Sequence, residues 1–419
     1  MVIYKFGGAS VKDDKGVKNL KDILINQNEA RIIVVSAFGK TTNNLEAISD
    51  AIYRKDKARF QNLLNDLQDY HYFITGELFK GNELIHEEVE GLFALINNLF
   101  YEKWEQYDFL YDQVVGLGEI LSTKIICAYL NTQHLDCQWI DIRENLITDA
   151  VFREASVYWE KSRLRIRKNL VPGDNEVIIT QGFIGGTSEG ISTTLGREGS
   201  DYSAAILANM LEAEKVVIWK DVPGIMNADP RYFQNASKLD RISFQEAIEL
   251  AYYGAKILHP KTIKPLQNKR IPLYVKSFLN PDREGTLIGA FNRYEEDKPI
   301  YILKKDQILI SVLPRDFSFV FEETLSKIYS LFAKYRIKVN LVQHSAINFT
   351  FCADEKNQQV FQLIEDLKIA YKVLYNTGLE LLTIRHYSEE LLRDIQRGRR
   401  ILVEQRSRHT AQYLMEVPG

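Results

Sequence analysis

The chain has 419 residues, 45% of them hydrophobic and 26% charged, with a formal net charge of -3. That length exceeds what one hydrophobic core organises, so two or three domains are expected. Near-neutral charge and ordinary composition exclude an electrostatic grip on nucleic acid and exclude a disordered chain, which leaves a small-molecule partner.

The first element comes at once, because Val2–Phe6 is a strand-like run with no charged-then-apolar leader before it. Short apolar runs at Arg31–Ser36, Cys137–Ile142, Val177–Gln181, Val216–Trp219 and Pro272–Lys276 then alternate with amphipathic, helix-length stretches. The clearest of these stretches are Lys15–Asn26, Glu119–Asn131, Tyr202–Leu211 and Phe244–Leu258. Strands alternating with helices predict an α/β fold on a mainly parallel sheet, with the chemistry on loops at the strand ends. Residues from about 50 to 112 lack β-branched runs and read as a helical insertion.

Charged, turn-rich text around Pro281–Lys298 separates residues 1–294 from a second region, 295–419. Its order is strand (Ile308–Val312), helix (Glu322–Lys334), strand (Lys338–Gln343), strand (Asn348–Cys352) and helix (Gln358–Leu367), closed by a strand near Leu374. This βαββα course over about 300–377 predicts a small α+β unit. A similar course restarts at Leu379–Arg385 and Ser388–Gln396, so 378–419 reads as a second unit that stops short of another strand-helix-strand set. No uncharged apolar run approaches bilayer-spanning length. Cys127, Cys137 and Cys352 have no metal-ligand spacing and are too few for a disulfide framework. A cytoplasmic protein with no membrane partner is expected.

Chemistry-bearing residues stand beside several element ends. Val2–Phe6 runs into Gly7-Gly8-Ala9-Ser10, where two glycines let the backbone approach a phosphate and Lys5 adds a compact positive charge. A tight strand-to-helix turn explains the same string. In Thr193–Asp201, Gly196 and Gly199 bracket Arg197 just before a helix, a natural anion site where the guanidinium fork suits a carboxylate. Ser200 or Asp201 acting only as an N-cap reads equally well. Glu119 begins an apolar helix, where the dipole alone favours a carboxylate. Lys220-Asp221 leads into the Pro223-Gly224 turn, Asp229-Pro230-Arg231 follows, and Lys256 and His259 sit at a helix end; singly, each is loop punctuation or dipole complement. Two strings fail outright. Gly39-Lys40-Thr41 has Val34 where a P-loop needs its first glycine, and Gly116-Leu117-Gly118 has Leu121 in place of the last dinucleotide glycine.

Taken in order, KFGGAS, VVSAFGKTTN, GLGEILST, TQGFIG, TTLGREGSDY, WKDVPGI, NADPR and GAKILHP closely resemble the aspartokinase branch of the amino-acid kinase family, over about the first 290 residues. The resemblance implies a sheet with helices on both faces and ATP-dependent phosphorylation of the aspartate side-chain carboxylate, the first step toward lysine, threonine and methionine. By that resemblance Lys5, Gly7 and Gly8 meet the ATP phosphates, Glu119 takes the aspartate ammonium and Arg197 its α-carboxylate. Ser36, Thr42, Phe183 and Ser200 complete the aspartate pocket, while Lys220, Asp221, Met226, Arg231 and Lys256 lie along the nucleotide. Lys5 and Asp201 form the expected catalytic pair, with Asp201 orienting the cationic groups. Mg²⁺ is expected to arrive on the ATP phosphates, without a dedicated protein metal site.

The chain departs from the family pattern at Ala9 and Lys220, where threonine is usual, and at Glu198, where glycine is usual. From about residue 300 the resemblance is to regulatory ACT domains, which pair and mediate dimer contacts, so a homodimer through this region is expected. Lysine-inhibited members carry a glycine at the loop-to-helix junction of the first ACT domain and an acidic strand position; here Phe317–Glu323 has no glycine, and Asn340 and Ala346 replace carboxylates. No homoserine dehydrogenase extension follows, which reads as a monofunctional enzyme. Two other functions compete: a family relative acting on glutamate, acetylglutamate or uridylate, and a catalytically silent amino-acid-binding regulator. The settings of Glu119 and Arg197 oppose the first, and the retained Lys5, Glu119, Arg197 and Asp201 oppose the second.

Overall fold

A computed structural model describes residues 1–27, 29–79, 83–173, 176–255, 258–291, 298–316, 319–320 and 322–417. It divides into two units: Met1–Ile225 with Lys238–Ala251 and Lys256–Glu295, and Met226–Ser237 with Tyr252–Ala255 and Glu296–Gly419.

Up to residue 291 the chain runs β1 (Val2–Phe6), α1 (Asp14–Gln27), β2 (Ala30–Val35), α2 (Thr41–Tyr53), α3 (Lys57–Phe79), α4 (Glu83–Leu99), α5 (Tyr107–Val115), α6 (Leu117–Thr132), β3 (Cys137–Ile140), α7 (Trp159–Asn169), β4 (Val177–Gln181), β5 (Ile184–Gly186), β6 (Ser192–Thr194), α8 (Gly199–Leu211), β7 (Lys215–Lys220), β8 (Arg241–Ser243), α9 (Phe244–Tyr253), α10 (Pro260–Lys269), β9 (Leu273–Ser277) and β10 (Thr286–Gly289). Eight strands form one sheet in the order β3-β4-β2-β1-β7-β9-β10-β8. All neighbours are parallel except β9 and β10, as the alternation of strand and helix predicts.

Every residue of β1 and β4 is buried, the pattern of strands covered on both faces. Tyr4, Phe6 and Trp219 pack together, with Phe6 stacked on Trp219 at 6.0 Å between ring centroids. Each such fully buried apolar side chain contributes roughly 1.5–3 kcal/mol, and Phe6 and Trp219 lie at the carboxyl ends of β1 and β7, next to the loops that leave them. Since β1 sits between β2 and β7, the carboxyl ends of β4, β2, β1 and β7 open side by side, the place where open α/β sheets bind ligands.

Between α2 and α6 lie the helices α3, α4 and α5, and Phe60 stacks on Phe100 at 4.7 Å within this segment. The segment Tyr107–Thr132, α5 and α6 together, is long and apolar enough to cross a bilayer by length and composition, but most of it is buried inside the fold. It is a core element whose apolar surface is satisfied by packing.

The second unit holds β11 (Ile300–Pro314), α11 (Glu322–Lys334), β12 (Val339–Ser345), β13 (Asn348–Asp354), α12 (Gln359–Ala370), β14 (Tyr371–Arg385), α13 (Glu389–Gln396), β15 (Ile401–Arg406) and β16 (Thr410–Glu416). Its sheet is antiparallel, in the order β12-β13-β11-β14-β16-β15. Two features differ from the sequence-based expectation. The strand expected at Ile308–Val312 extends to the 15 residues of β11, and the runs near Leu374 and at Leu379–Arg385 form one strand, β14, also of 15 residues; the two pair with an irregularity between Lys304 and Gln307, where Asp306 adopts φ 54°. In addition, the course after 378 continues past α13 into β15 and β16, which pair with each other and with β14. Those strands were hidden because β15 is an edge strand whose Glu404, Gln405 and Arg406 are exposed, and charged edges blur the two-residue period.

Each half of this sheet has its own core. Ile308, Ile310, Phe332, Phe349, Phe351 and Leu363 build one; Leu382, Ile384, Leu392, Ala411, Tyr413 and Met415 build the other.

Candidate active site

Lys5 comes from the buried centre of β1, and its Nζ stands 2.6 Å from Asp201 Oδ1. Asp201 lies in the first turn of α8, where the helix dipole favours a negative charge. Lys220, at the end of β7, reaches the other carboxylate oxygen at 3.4 Å. Burial works against the charge on Asp201, yet the ammonium groups of Lys5 and Lys220 hold its carboxyl below the ordinary aspartate value. The result is an ionised carboxylate holding two cations at the ends of adjacent strands, since β1 and β7 pair directly.

The glycine loop closes as a tight turn and packs on the loop after β2. Ser10 N–H donates to Gly7 O at 2.9 Å, closing a tight turn, and Gly39 N–H donates to Gly8 O at 3.0 Å. A Cβ on Gly8 would lie 2.4 Å from Ala37 O, so only glycine lets the loop after β1 pack on the loop after β2.

That second loop carries Ser36 and Ala37. Ala37 N–H donates to Glu119 Oε1 at 3.3 Å, while Glu119 Oε2 is buried without a hydrogen-bond partner. Burial pushes the Glu119 carboxyl up to about 8, opposed by the Ala37 N–H and by the charge of Lys5. An orphaned carboxyl oxygen of this kind is costly unless a donor or cation comes to it. The helix beneath is held firmly: Ser122 Oγ donates to Ser36 O at 3.0 Å, and Thr123 Oγ1, bonded to Glu119 O at 2.7 Å, receives the Trp139 indole and Gln181 amide N–H groups. Thr42 sits half-buried in the first turn of α2, beside the buried Thr41 hydroxyl, which also lacks a partner.

Phe183 follows β4 with φ 69°, its N–H donating to Ser203 Oγ at 3.0 Å and its carbonyl accepting from Leu195 N–H at 2.8 Å. A Cβ on Gly182 would lie 2.5 Å from Ser200 Cβ, and one on Gly199 would lie 2.7 Å from the Phe183 ring. Both glycines therefore allow the start of α8 to press against the end of β4. Arg197 is exposed in the turn between them, and Glu198 has φ 55°, left-handed backbone that favours glycine.

Lys5, Gly7, Gly8, Ser36, Glu119, Phe183, Ser200, Asp201 and Lys220 are thus joined through the ends of β1, β2, β4 and β7. Thr42, Arg197 and the exposed Asp221 lie on the segments that leave these strands or follow them. Met226 and Arg231 belong to the second unit, where Arg231 forks onto Asp229 with its closest contact at 2.6 Å. Lys256 lies outside the described residues. Sequence reasoning passed over Thr123 and Ser203, which bond the backbone of Glu119 and Phe183, Gln181, which bonds Thr123, and Asp112, which bonds Arg153 and Thr194.

Chemically, the cluster offers fixed cations and closely approachable backbone at one edge, and a buried carboxyl without a full set of partners at the other. It suits a reaction in which an anionic group moves toward an acceptor that carries an ammonium. Among the described residues no group of three or more His, Cys, Asp or Glu side chains converges as a metal site.

Residues 1–277 match the amino acid kinase family. The chain is 33% identical over 359 residues to the lysine-sensitive aspartokinase 3 of Escherichia coli (strain K12), covering 84% of this chain and 78% of that protein. Its structure is similar to that of E. coli aspartokinase III in complex with lysine and aspartate, with a TM-score of 0.83 and 28% identity, covering 100% of this chain and 96% of the other. The complex of the same enzyme with aspartate and ADP gives a TM-score of 0.82 at 28% identity, covering 99% and 96%. The chain spans about a third of the plant bifunctional aspartokinase/homoserine dehydrogenases it also matches, for example 32% of one from Arabidopsis thaliana.

Proposed function

The chain belongs to the aspartokinases of the amino acid kinase family, and from that premise we infer that it transfers the γ-phosphoryl group of ATP to the side-chain carboxylate of L-aspartate, giving 4-phospho-L-aspartate. Aspartate and a nucleotide are the substrates, and the step feeds aspartate-derived amino-acid synthesis. The observation that carries the assignment of the pocket is Glu119: a buried carboxyl with one oxygen unpartnered, next to the Lys5 charge. A substrate ammonium supplies the missing partner, and its approach draws the proton off Glu119.

The exposed Arg197 at the mouth of α8 holds the α-carboxylate through its fork, and Ser36, Thr42, Phe183 and Ser200 shape the rest of the pocket. The acceptor carboxylate is already nucleophilic, so no general base is required; the barrier lies in bringing two anions together while charge spreads over the transferring phosphoryl. Lys5 meets that charge at the reacting centre, and Gly7 and Gly8 bring backbone N–H groups against the phosphates. Asp201, pinned by Lys5 and Lys220, keeps the two ammonium groups aimed. Lys220, Asp221, Met226, Arg231 and Lys256 are assigned to the nucleotide.

Mg²⁺ fits this donor set only as an ion carried by ATP. Both Asp201 oxygens face ammonium groups, and no acidic cluster converges among the described residues, so phosphates and water hold the metal, which screens phosphate charge when bound. A cytoplasmic location and a homodimer through the ACT-like second unit complete the proposal; the family resemblance of that unit supports the dimer.

An ATP-dependent hydroxamate assay offered aspartate, glutamate and acetylglutamate tests the reading. Product with aspartate alone is expected. Product only with glutamate or acetylglutamate assigns another family activity, and no product with any of the three leaves a uridylate-acting relative or a silent regulator.

A further inference from the structure

We propose that Asp112 is a positioning residue that sets the spacing between the two ends of the aspartate pocket, Glu119 on α6 and Arg197 on the loop before α8. Asp112 is fully buried near the end of α5, seven residues before Glu119 in the sequence. Its carboxylate accepts from main-chain and hydroxyl donors. Thr194 N–H donates to Oδ2 at 2.8 Å, Thr194 Oγ1–H donates to Oδ1 at 2.8 Å, and Arg153 N–H is shared between both oxygens at 3.1 Å.

Those donors belong to the two strands of chain that fix the Arg197 turn. Thr194 ends β6, three residues before Arg197. Ala155 N–H donates to Thr194 O at 2.9 Å, and a Cβ on Gly196 would lie 3.2 Å from Arg153 O. The Arg153 guanidinium lies over the Tyr111 ring at 4.3 Å and 3.3 Å from Asp108, so the hydrogen bonds from Arg153 to Asp112 come from its backbone. Asp112 therefore joins α5, and through Gly116 the helix that carries Glu119, to the segment that presents Arg197. A rigid span is what recognition of a small amino acid by its two charged ends requires, because misplacement of one end loses the benefit of the other.

This inference rests on the aspartokinase reading, and its test separates the two. Asp112→Asn places an amide N–H against a main-chain donor, and Thr194→Val removes one hydroxyl bond while leaving the backbone donor. Expected for Asp112→Asn is a rise of about tenfold in KM for aspartate, with kcat and KM for ATP within about twofold of wild type. Thr194→Val is expected to give a smaller shift of the same kind, and the double variant to be no worse than Asp112→Asn alone. Hydrogen exchange of peptides covering 192–199 should be faster in Asp112→Asn without any substrate present. An unchanged KM for aspartate, or equal rises in both KM values with a lowered Tm, overturns the inference by showing no role or a general structural one. Should wild type fail to phosphorylate aspartate, the functional reading falls, and unchanged exchange at 192–199 then sinks the positioning role independently.

Discussion

Lys5 Nζ and Asp201 Oδ1 lie 2.6 Å apart with both side chains almost wholly buried, so the cation assigned to the transferring phosphoryl is aimed before any substrate arrives. Such preorganisation is where electrostatic catalysis gains most, because nothing has to reorganise as charge develops. Lys5→Ala is accordingly expected to lower kcat by about 100- to 1,000-fold. Arg197→Ala, in the exposed turn, is expected chiefly to raise KM for aspartate. Steady-state kinetics of both purified variants decide the point, and near-wild-type kcat/KM in folded forms of both refutes the site assignment.

Glu119 makes aspartate binding depend on pH. Its carboxyl, pushed from 4.5 to about 8 by burial, is mostly neutral in the unliganded protein at pH 7, whereas the substrate ammonium needs it charged. KM for aspartate should fall by about tenfold per pH unit as pH rises toward 8 and level off above it. For stability the sign is the reverse. A raised folded value means that stability present below 4.5 is lost as pH rises through 8, and aspartate should restore it. Thermal melts across that range, with and without aspartate, check both statements; Glu119→Gln should flatten the pH dependence. Succinate, which lacks the ammonium, should be a very poor substrate, and efficient phosphorylation of succinate would give Glu119 another role.

Glu198 occupies left-handed backbone at φ 55° where only glycine is unstrained. Glu198→Gly should therefore stabilise the protein by about 1 kcal/mol, read as a higher Tm. The same change removes a negative charge three residues from Asp201, which holds the Lys5 and Lys220 cations assigned to the phosphates, so KM for ATP should fall or stay level. A lower Tm shows that the Glu198 side chain makes a compensating contact.

Lysine is expected to inhibit weakly or not at all. Asn340 is already engaged: Lys304 Nζ donates to its Oδ1 at 2.7 Å, and its Nδ2 donates to Gln307 Oε1 at 2.8 Å and Asp354 Oδ1 at 3.0 Å. His344 Nε2 is likewise within 3.1 Å of Val320 O. A free lysine would have to displace these bonds before it could bind there. Phe317, Ser318 and Phe321 of the glycine-free junction lie outside the described residues. Titration of the purified enzyme with lysine, by activity and by calorimetry, checks the expectation, and tight binding with strong inhibition at sub-millimolar lysine contradicts it.

Much of this protein was determined along the chain itself. Alternation of Val2–Phe6, Ala30–Val35 and Val177–Gln181 with amphipathic helices specifies a parallel sheet, because such strands must be buried on both faces and joined by crossover helices. The strings around Lys5, Glu119, Arg197 and Lys256 carry the family, since tight turns and fixed charges admit few residue types at each position. What the tertiary structure alone decided are relationships between distant residues of ordinary local character. The bond from Ala37 N–H to Glu119 spans 82 positions, and Thr194 meets Asp112 across the same separation. Cys127 and Cys137, unremarkable in spacing, have sulfurs 3.1 Å apart because α6 and β3 pack together. The full lengths of the paired strands β11 and β14, and the charged edge strand β15, were likewise illegible. Period and composition report only which face of an element is wet, whereas pairing partners and buried polar contacts depend on which surfaces the folded chain brings into register.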